Sequence, residues 1–190
     1  MPKLVAEKIE LSGLLDRSAL QGLLDQAAAQ AIAQSQALAV LTLDVDHFKD
    51  YQDDQGLAQA EAALLSLAKF LQTQLPAGAS LAHLGADSFV AVLPGQDITA
   101  ALASAESLRE AVALELSSLA SPTPLTISLG VAASPTGGNW SARGLLSLAD
   151  TRMTFAKKRL LPHHNHSWAG NLPSDWYARM DIEPGFWPSV

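Results

Sequence analysis

The stretch Leu41-Thr42-Leu43-Asp44-Val45-Asp46-His47-Phe48-Lys49 decides how this chain is read. The run from Ala37 to Leu43 is apolar on both faces, as a central strand covered by helices on each side must be. It is predicted to end in an acidic turn, Asp44-Val45-Asp46. Carboxylates spaced i, i+2 at the end of a buried strand point to one side of the sheet, at the edge where α/β proteins place ligands. Two readings of the pair stand open. One is an oxygen-ligand site for a cation, with Lys49 in reach of a phosphate held by that cation. The other is that Asp44 and Asp46 only cap the segment that follows.

Outward from this strand, helical and extended patterns alternate. Upstream, Asp16 or Ser18 caps a helix to about Ser35, with Leu20, Leu23, Leu24, Ala27, Ala31 and Ile32 at helical spacing. Downstream, a helix from about Leu57 to Leu75 is stopped by Pro76 and Gly78. Two short apolar runs, Ser80 to Leu84 and Phe89 to Leu93, flank Gly85-Ala86-Asp87-Ser88, which predicts a hairpin with Asp87 near its tip. A helix from Asp97 to about Leu119, a strand from Leu125 to Val131 that alternates with Thr126, Ser128 and Gly130, and a helix from Ser141 to Arg159 complete the order. The order α-β-α-β-β-α-β-α predicts an α/β (α+β) domain, a mixed central sheet with helices on its faces. If the hairpin pairs beside the Asp44 strand, Asp87 adds a third carboxylate at the same edge. That is the geometry of metal-assisted phosphoryl or nucleotidyl transfer.

Composition narrows the chemistry. The 190 residues are 48% hydrophobic and 16% charged, which excludes global disorder. With no cysteine, a metal is left with oxygen or imidazole ligands. Twelve Lys and Arg against nineteen Asp and Glu give a net charge of −7, a poor match for nucleic acid. A small anion carried with a divalent cation remains compatible. The uncharged stretch Ala27 to Leu43 is too polar to span a bilayer, and the first ten residues lack the apolar core of a signal peptide, so the expected location is the cytoplasm, off the membrane. Residues 162–190 form a separate tail with three of the four tryptophans, and so much aromatic surface is expected to dock rather than stay in water. His163, His164 and His166 in that tail read as solvated rather than as zinc ligands.

The segments Leu11-Ser12-Gly13-Leu14-Leu15-Asp16-Arg17, Leu43 to Lys49, Gly85-Ala86-Asp87-Ser88-Phe89, Ile127 to Ala132, and Ala149-Asp150 with Ala156-Lys157 resemble, in order and spacing, the motifs of the GGDEF family, the diguanylate cyclases. The resemblance covers about residues 11–161, after a lead-in of residues 1–10. It implies a fold like the polymerase palm and adenylyl cyclases, Mg²⁺ at the strand edge, and one GTP per subunit of a homodimer, condensed in pairs to cyclic di-GMP. By position it implies metal binding by Asp44, the Val45 carbonyl and Asp87, and phosphate contacts from Lys49 and Lys157. Gln52 and Glu61 fall where the guanine edge is read. Gly85 and Ala86 fall where the nucleotide approaches the hairpin, and Asp87 and Ser88 hold the catalytic positions.

The departures from the family pattern fall on chemistry. Ala86 replaces the second signature glycine, and its methyl narrows the space for a nucleotide. Ser88 replaces the glutamate and removes a charge beside the metal. Gln52 and Glu61 are each one methylene longer than the family's Asn and Asp, Leu160-Leu161 stand where Gly-Arg is expected, and Pro76 and Ala79 fall on the Arg and Asp of the product-inhibition motif. The expected function is a catalytically impaired domain of cyclic-di-GMP signalling that binds GTP or a related nucleotide, or a protein partner, as a regulatory module. An active cyclase of low rate or altered nucleotide choice, and a dimerisation scaffold, are the alternatives.

Overall fold

The computed structural model describes residues 14–119, 124–135, 139–159 and 165–172. The lead-in, Leu11 to Gly13, Pro122, Leu160 to His164 and the tail from residue 173 lie outside the described residues.

Helix α1 (Arg17–Gln34) begins at Asp16, whose side chain accepts a hydrogen bond from the Ala19 amide at 2.8 Å. The same device starts α4 (Ile98–Leu116), where Asp97 accepts from Ala100 at 2.9 Å. Each such cap stabilises its helix by about 1 kcal/mol. Helix α4 ends before the predicted Leu119, because the Ser117 and Ser118 hydroxyls donate to the carbonyls of Leu114 and Glu115 in its last turn. Between α1 and α4 lie β1 (Leu38–Asp46), α2 (Phe48–Gln55), α3 (Leu57–Gln74), β2 (Ser80–Gly85) and β3 (Ser88–Pro94). After α4 come β4 (Thr126–Ala133), α5 (Ala142–Arg159) and β5 (Ser167–Trp168).

The sheet order is β2-β3-β1-β4-β5, antiparallel throughout except for the parallel β4–β5 pair. The crossovers from β1 to β2 and from β3 to β4 each join two strands that run in the same direction with a third inserted between them, the split βαβ arrangement, while α5 joins the neighbouring parallel strands β4 and β5. Both faces of β1 are covered, as its apolar run requires. Leu41, Leu43 and Val45 pack with Leu64, Leu67 and Leu71 of α3 and Leu108 and Val112 of α4. Leu38 and Val40 pack with Leu20 and Leu24 of α1 and Leu145 and Ala149 of α5.

One expectation is corrected. Asp44, Val45 and Asp46 are not a turn but the last residues of β1, paired with Ser128, Ile127 and Thr126 of β4. The chain turns instead at His47, with φ at +59°. Asp53 and Asp54 lie on α2, a helix that the sequence pattern hid because only Phe48 and Tyr51 of its eight residues are buried. Residues 167–168 form β5, whose Trp168 ring lies 5.1 Å from that of Phe155.

Gly130 sets the depth at which α5 lies on the sheet. A β-carbon there would sit 1.9 Å from the Ala149 carbonyl oxygen and 2.2 Å from the Met153 nitrogen, both backbone atoms that cannot yield without moving the helix. Gly130→Val is therefore expected to lower stability by about 3 kcal/mol, read as a shift of the urea midpoint.

Candidate functional site

The even-numbered residues of β1 face α5, so Asp44 and Asp46 emerge on the same side as Lys157. Asp46 is fully buried, and its charge is matched by donors rather than by water. Oδ2 accepts from Thr126 Oγ1 at 2.7 Å and from the Asn165 amide at 2.9 Å, while Oδ1 accepts from Ser128 Oγ at 2.9 Å. These bonds commit Asp46 to holding β1, β4 and the segment before β5 together. It is a positioning residue.

Asp44 is differently placed. Oδ2 accepts from Ser88 Oγ at 2.8 Å, and Oδ1 is bound by the Lys157 ammonium, which also donates to the Val45 carbonyl at 3.3 Å. The ammonium lies 3.9 Å from Asp46 Oδ1. Lys157 reaches this point from the last turn of α5, seven residues and two helical turns beyond Asp150 on the same face. Burial, then the Asp44 charge, raises the Asp150 pKa, and Arg17 opposes the shift.

The hairpin brings Asp87 to the same edge. Its loop is two residues long, Ala86 and Asp87, and Ala86 adopts φ +49° while Gly85 adopts +109°. The Asp87 carbonyl accepts from the Val45 amide at 3.2 Å, which ties the tip of the hairpin to the end of β1. Burial and the neighbouring Asp44 charge push the Asp87 carboxyl up to about 6, against a lowering by Lys157. Asp44, the Val45 carbonyl, Asp87, Ser88 and Lys157 are thus brought together. Asp44, Val45 and Asp87 offer two carboxyl groups and a carbonyl, the hard oxygen donors that Mg²⁺ takes, so the residues fit that ion.

Other predicted residues lie apart from this cluster. Lys49 is largely exposed and its ammonium is held by Asp53 at 2.6 Å, a pairing that raises its pKa. Gln52 and Glu61 are half-buried, one on each side of the α2–α3 junction at Gly56. Pro76 and Ala79 line a separate cavity of about 380 Å³ with Leu15, Leu75 and Leu81, and among the described residues no charged side chain lines it.

Four contributors escaped the sequence reading. Thr126 and Ser128 were visible only as the polar side of an alternating strand, and Asn165 as one residue of the tail. His83 is buried against Phe89, with ring centroids 4.9 Å apart, and its Nε2 lies 2.9 Å from the Ala86 carbonyl, pinning the hairpin loop. A single histidine in an otherwise apolar strand, two residues before Gly85, was the available signal.

Comparison with known proteins shows the family and agrees with the fold. The family described as "Diguanylate cyclase, GGDEF domain" matches residues 10–160, and the chain belongs to that family. An uncharacterised signalling protein of Caulobacter vibrioides is 34% identical over 169 residues, 82% of this chain and 19% of its own length. The diguanylate cyclase DgcM of Escherichia coli is 30% identical over 147 residues, 77% of this chain and 35% of its own length. The chain thus spans about a third or less of these relatives. The GGDEF domain of DgcB from Caulobacter crescentus, solved in complex with c-di-GMP, superposes with a TM-score of 0.73 at 22% identity, covering 83% of this chain and 92% of that one. No helix among the described residues is long and apolar enough to cross a membrane.

Two outcomes are expected. Asp46→Asn turns an amide donor toward hydroxyl and amide donors and is expected to destabilise the fold by about 2 kcal/mol, read in urea titration. Asp87 binds its proton more tightly in the fold than at its unfolded value of 3.8, so its contribution to stability is full below that value and lost as pH rises through about 6. Asp87→Asn is therefore expected to be more stable than the parent at pH above 7 by about 1 kcal/mol, allowing for water at a half-buried group, with the gain vanishing near pH 4.

Proposed function

We propose that this domain binds GTP or a related nucleotide with Mg²⁺ at the end of β1 and turns it over poorly, serving cyclic-di-GMP signalling as a regulatory module that pairs with a second copy or a protein partner. The observation that carries the reading is the bond from Ser88 to Asp44. Where the family signature has a carboxylate, this chain has a hydroxyl that draws on a lone pair of the very acid assigned to the metal. The site keeps enough oxygen donors for one hard cation and loses negative charge beside it.

In this reading Asp44, the Val45 carbonyl and Asp87 hold Mg²⁺, which when bound neutralises phosphate charge and polarises the phosphoryl group under attack. Lys157 already lies at the cluster and needs only a short swing to meet a phosphate. Lys49 must first leave Asp53. Gln52 and Glu61 carry acceptor and donor groups for a guanine edge, each on a longer side chain than the family's, and displacement of about 1 Å in such a site costs about 10²-fold in rate. Left-handed Ala86 holds the hairpin loop in shape at a cost of about 1–2 kcal/mol, so its methyl acts through the room it takes from the ligand rather than through the backbone.

Purified protein incubated with Mg²⁺ and labelled GTP is expected to show saturable, Mg²⁺-dependent binding with little product. Ala86→Gly combined with Ser88→Glu is expected to raise cyclic-di-GMP formation at least about tenfold. Efficient product formation by the parent chain, abolished in Asp87→Ala, would make it a working cyclase instead. No nucleotide binding under any condition would leave only the scaffold role.

A further inference from the structure

Lys157 stands at the oxygens that a metal would use. Its ammonium contacts Asp44 Oδ1 and the Val45 carbonyl and lies 3.9 Å from Asp46 Oδ1, so three oxygens from the end of β1 surround one positive charge. The side chain is only 22% exposed, and that of Asp44 only 15%. Asp44's other oxygen is taken by Ser88. A divalent ion placed on Asp44 and Val45 would lie within a few ångströms of the ammonium, and in a half-buried site two such like charges repel strongly.

We propose that Lys157 is a tethered cation that fills the metal position of this chain, so that a divalent ion enters only when Lys157 is drawn away. This rests on the reading of Asp44 and Val45 as metal donors given above. The group able to draw it away is an anion arriving with the metal, and a triphosphate beside the hairpin is such an anion. Metal and nucleotide then bind as a coupled pair, each raising the affinity for the other by the same factor. The Asp44 charge is then matched from within the chain when no ligand is bound.

The test is the affinity of Mn²⁺ alone, followed by the electron-spin signal of the free ion at neutral pH and low salt. Parent, Lys157→Gln, Lys157→Met and Lys157→Arg proteins are compared, with folding checked by circular dichroism. Lys157→Gln keeps a donor for Asp44 and loses only the charge, so it guards against a variant that fails to fold. Both neutral variants are expected to bind Mn²⁺ about tenfold or more tightly than the parent, while Lys157→Arg stays close to the parent. Asp44→Asn added to Lys157→Gln is expected to abolish the gain. Equal or weaker Mn²⁺ affinity in Lys157→Gln overturns the proposal, as does a gain that survives Asp44→Asn. Binding of a fluorescent GTP analogue is scored separately. If Mn²⁺ tightens while no nucleotide binds, the tethered cation stands and the nucleotide reading falls.

Discussion

Negative charge at the end of a buried strand is the constraint around which this molecule is arranged. Asp44 and Asp46 lie within the hydrogen-bonded length of β1 rather than beyond it, so each carboxylate needs a partner from the protein. The two are served by different means. Asp46, sealed from water, is hydrogen-bonded by neutral donors from β4 and from the segment leading to β5, with the Lys157 ammonium 3.9 Å from its Oδ1. Asp44, at the rim, receives a full charge from Lys157 and a hydroxyl from Ser88. The first arrangement fixes the strands, and the second leaves a charge that an incoming ligand can exchange.

The rest of the fold supplies those partners from far along the chain. Close packing of α5 on Gly130 carries Lys157 over the end of β1, and the antiparallel pairing of β1 with β3 brings Ser88 opposite Asp44. Beyond β4, Arg152 donates to the carbonyls of Val131 and Gly170, so the segment that contains β5 is held to α5 as well as to the sheet. Chain after the family's last helix therefore takes part in holding the buried acid, through Asn165.

The hairpin shows how a signature can change while its backbone stays. Gly85 needs its freedom at φ +109°, and it is kept. Ala86 accepts a left-handed conformation that most residues avoid, steadied by His83 on its carbonyl and by the Asp87 carbonyl on the Val45 amide.

The long helices, the buried run of β1 and the hairpin were legible in the sequence because each is written in local spacing: helical stripes, an unbroken apolar run, and turn residues between strands. Helix α2 was not, since it is short and mostly wet, and β5 was not, since two residues carry no period. Among the site residues, the family motifs pointed to Asp44, Asp87 and Lys157 by position, and that identity belongs to the sequence. Only the tertiary structure decided that Asp46 is a buried anchor while Asp44 lies at the rim, that the polar side of β4 serves that anchor, and that Lys157 rests on Asp44 and the Val45 carbonyl. Those outcomes depend on which of several hydroxyls, amides and cations, separated by up to 119 positions in the chain, fall within hydrogen-bond distance of one strand end. Local pattern carries no information about such distances until the sheet is assembled.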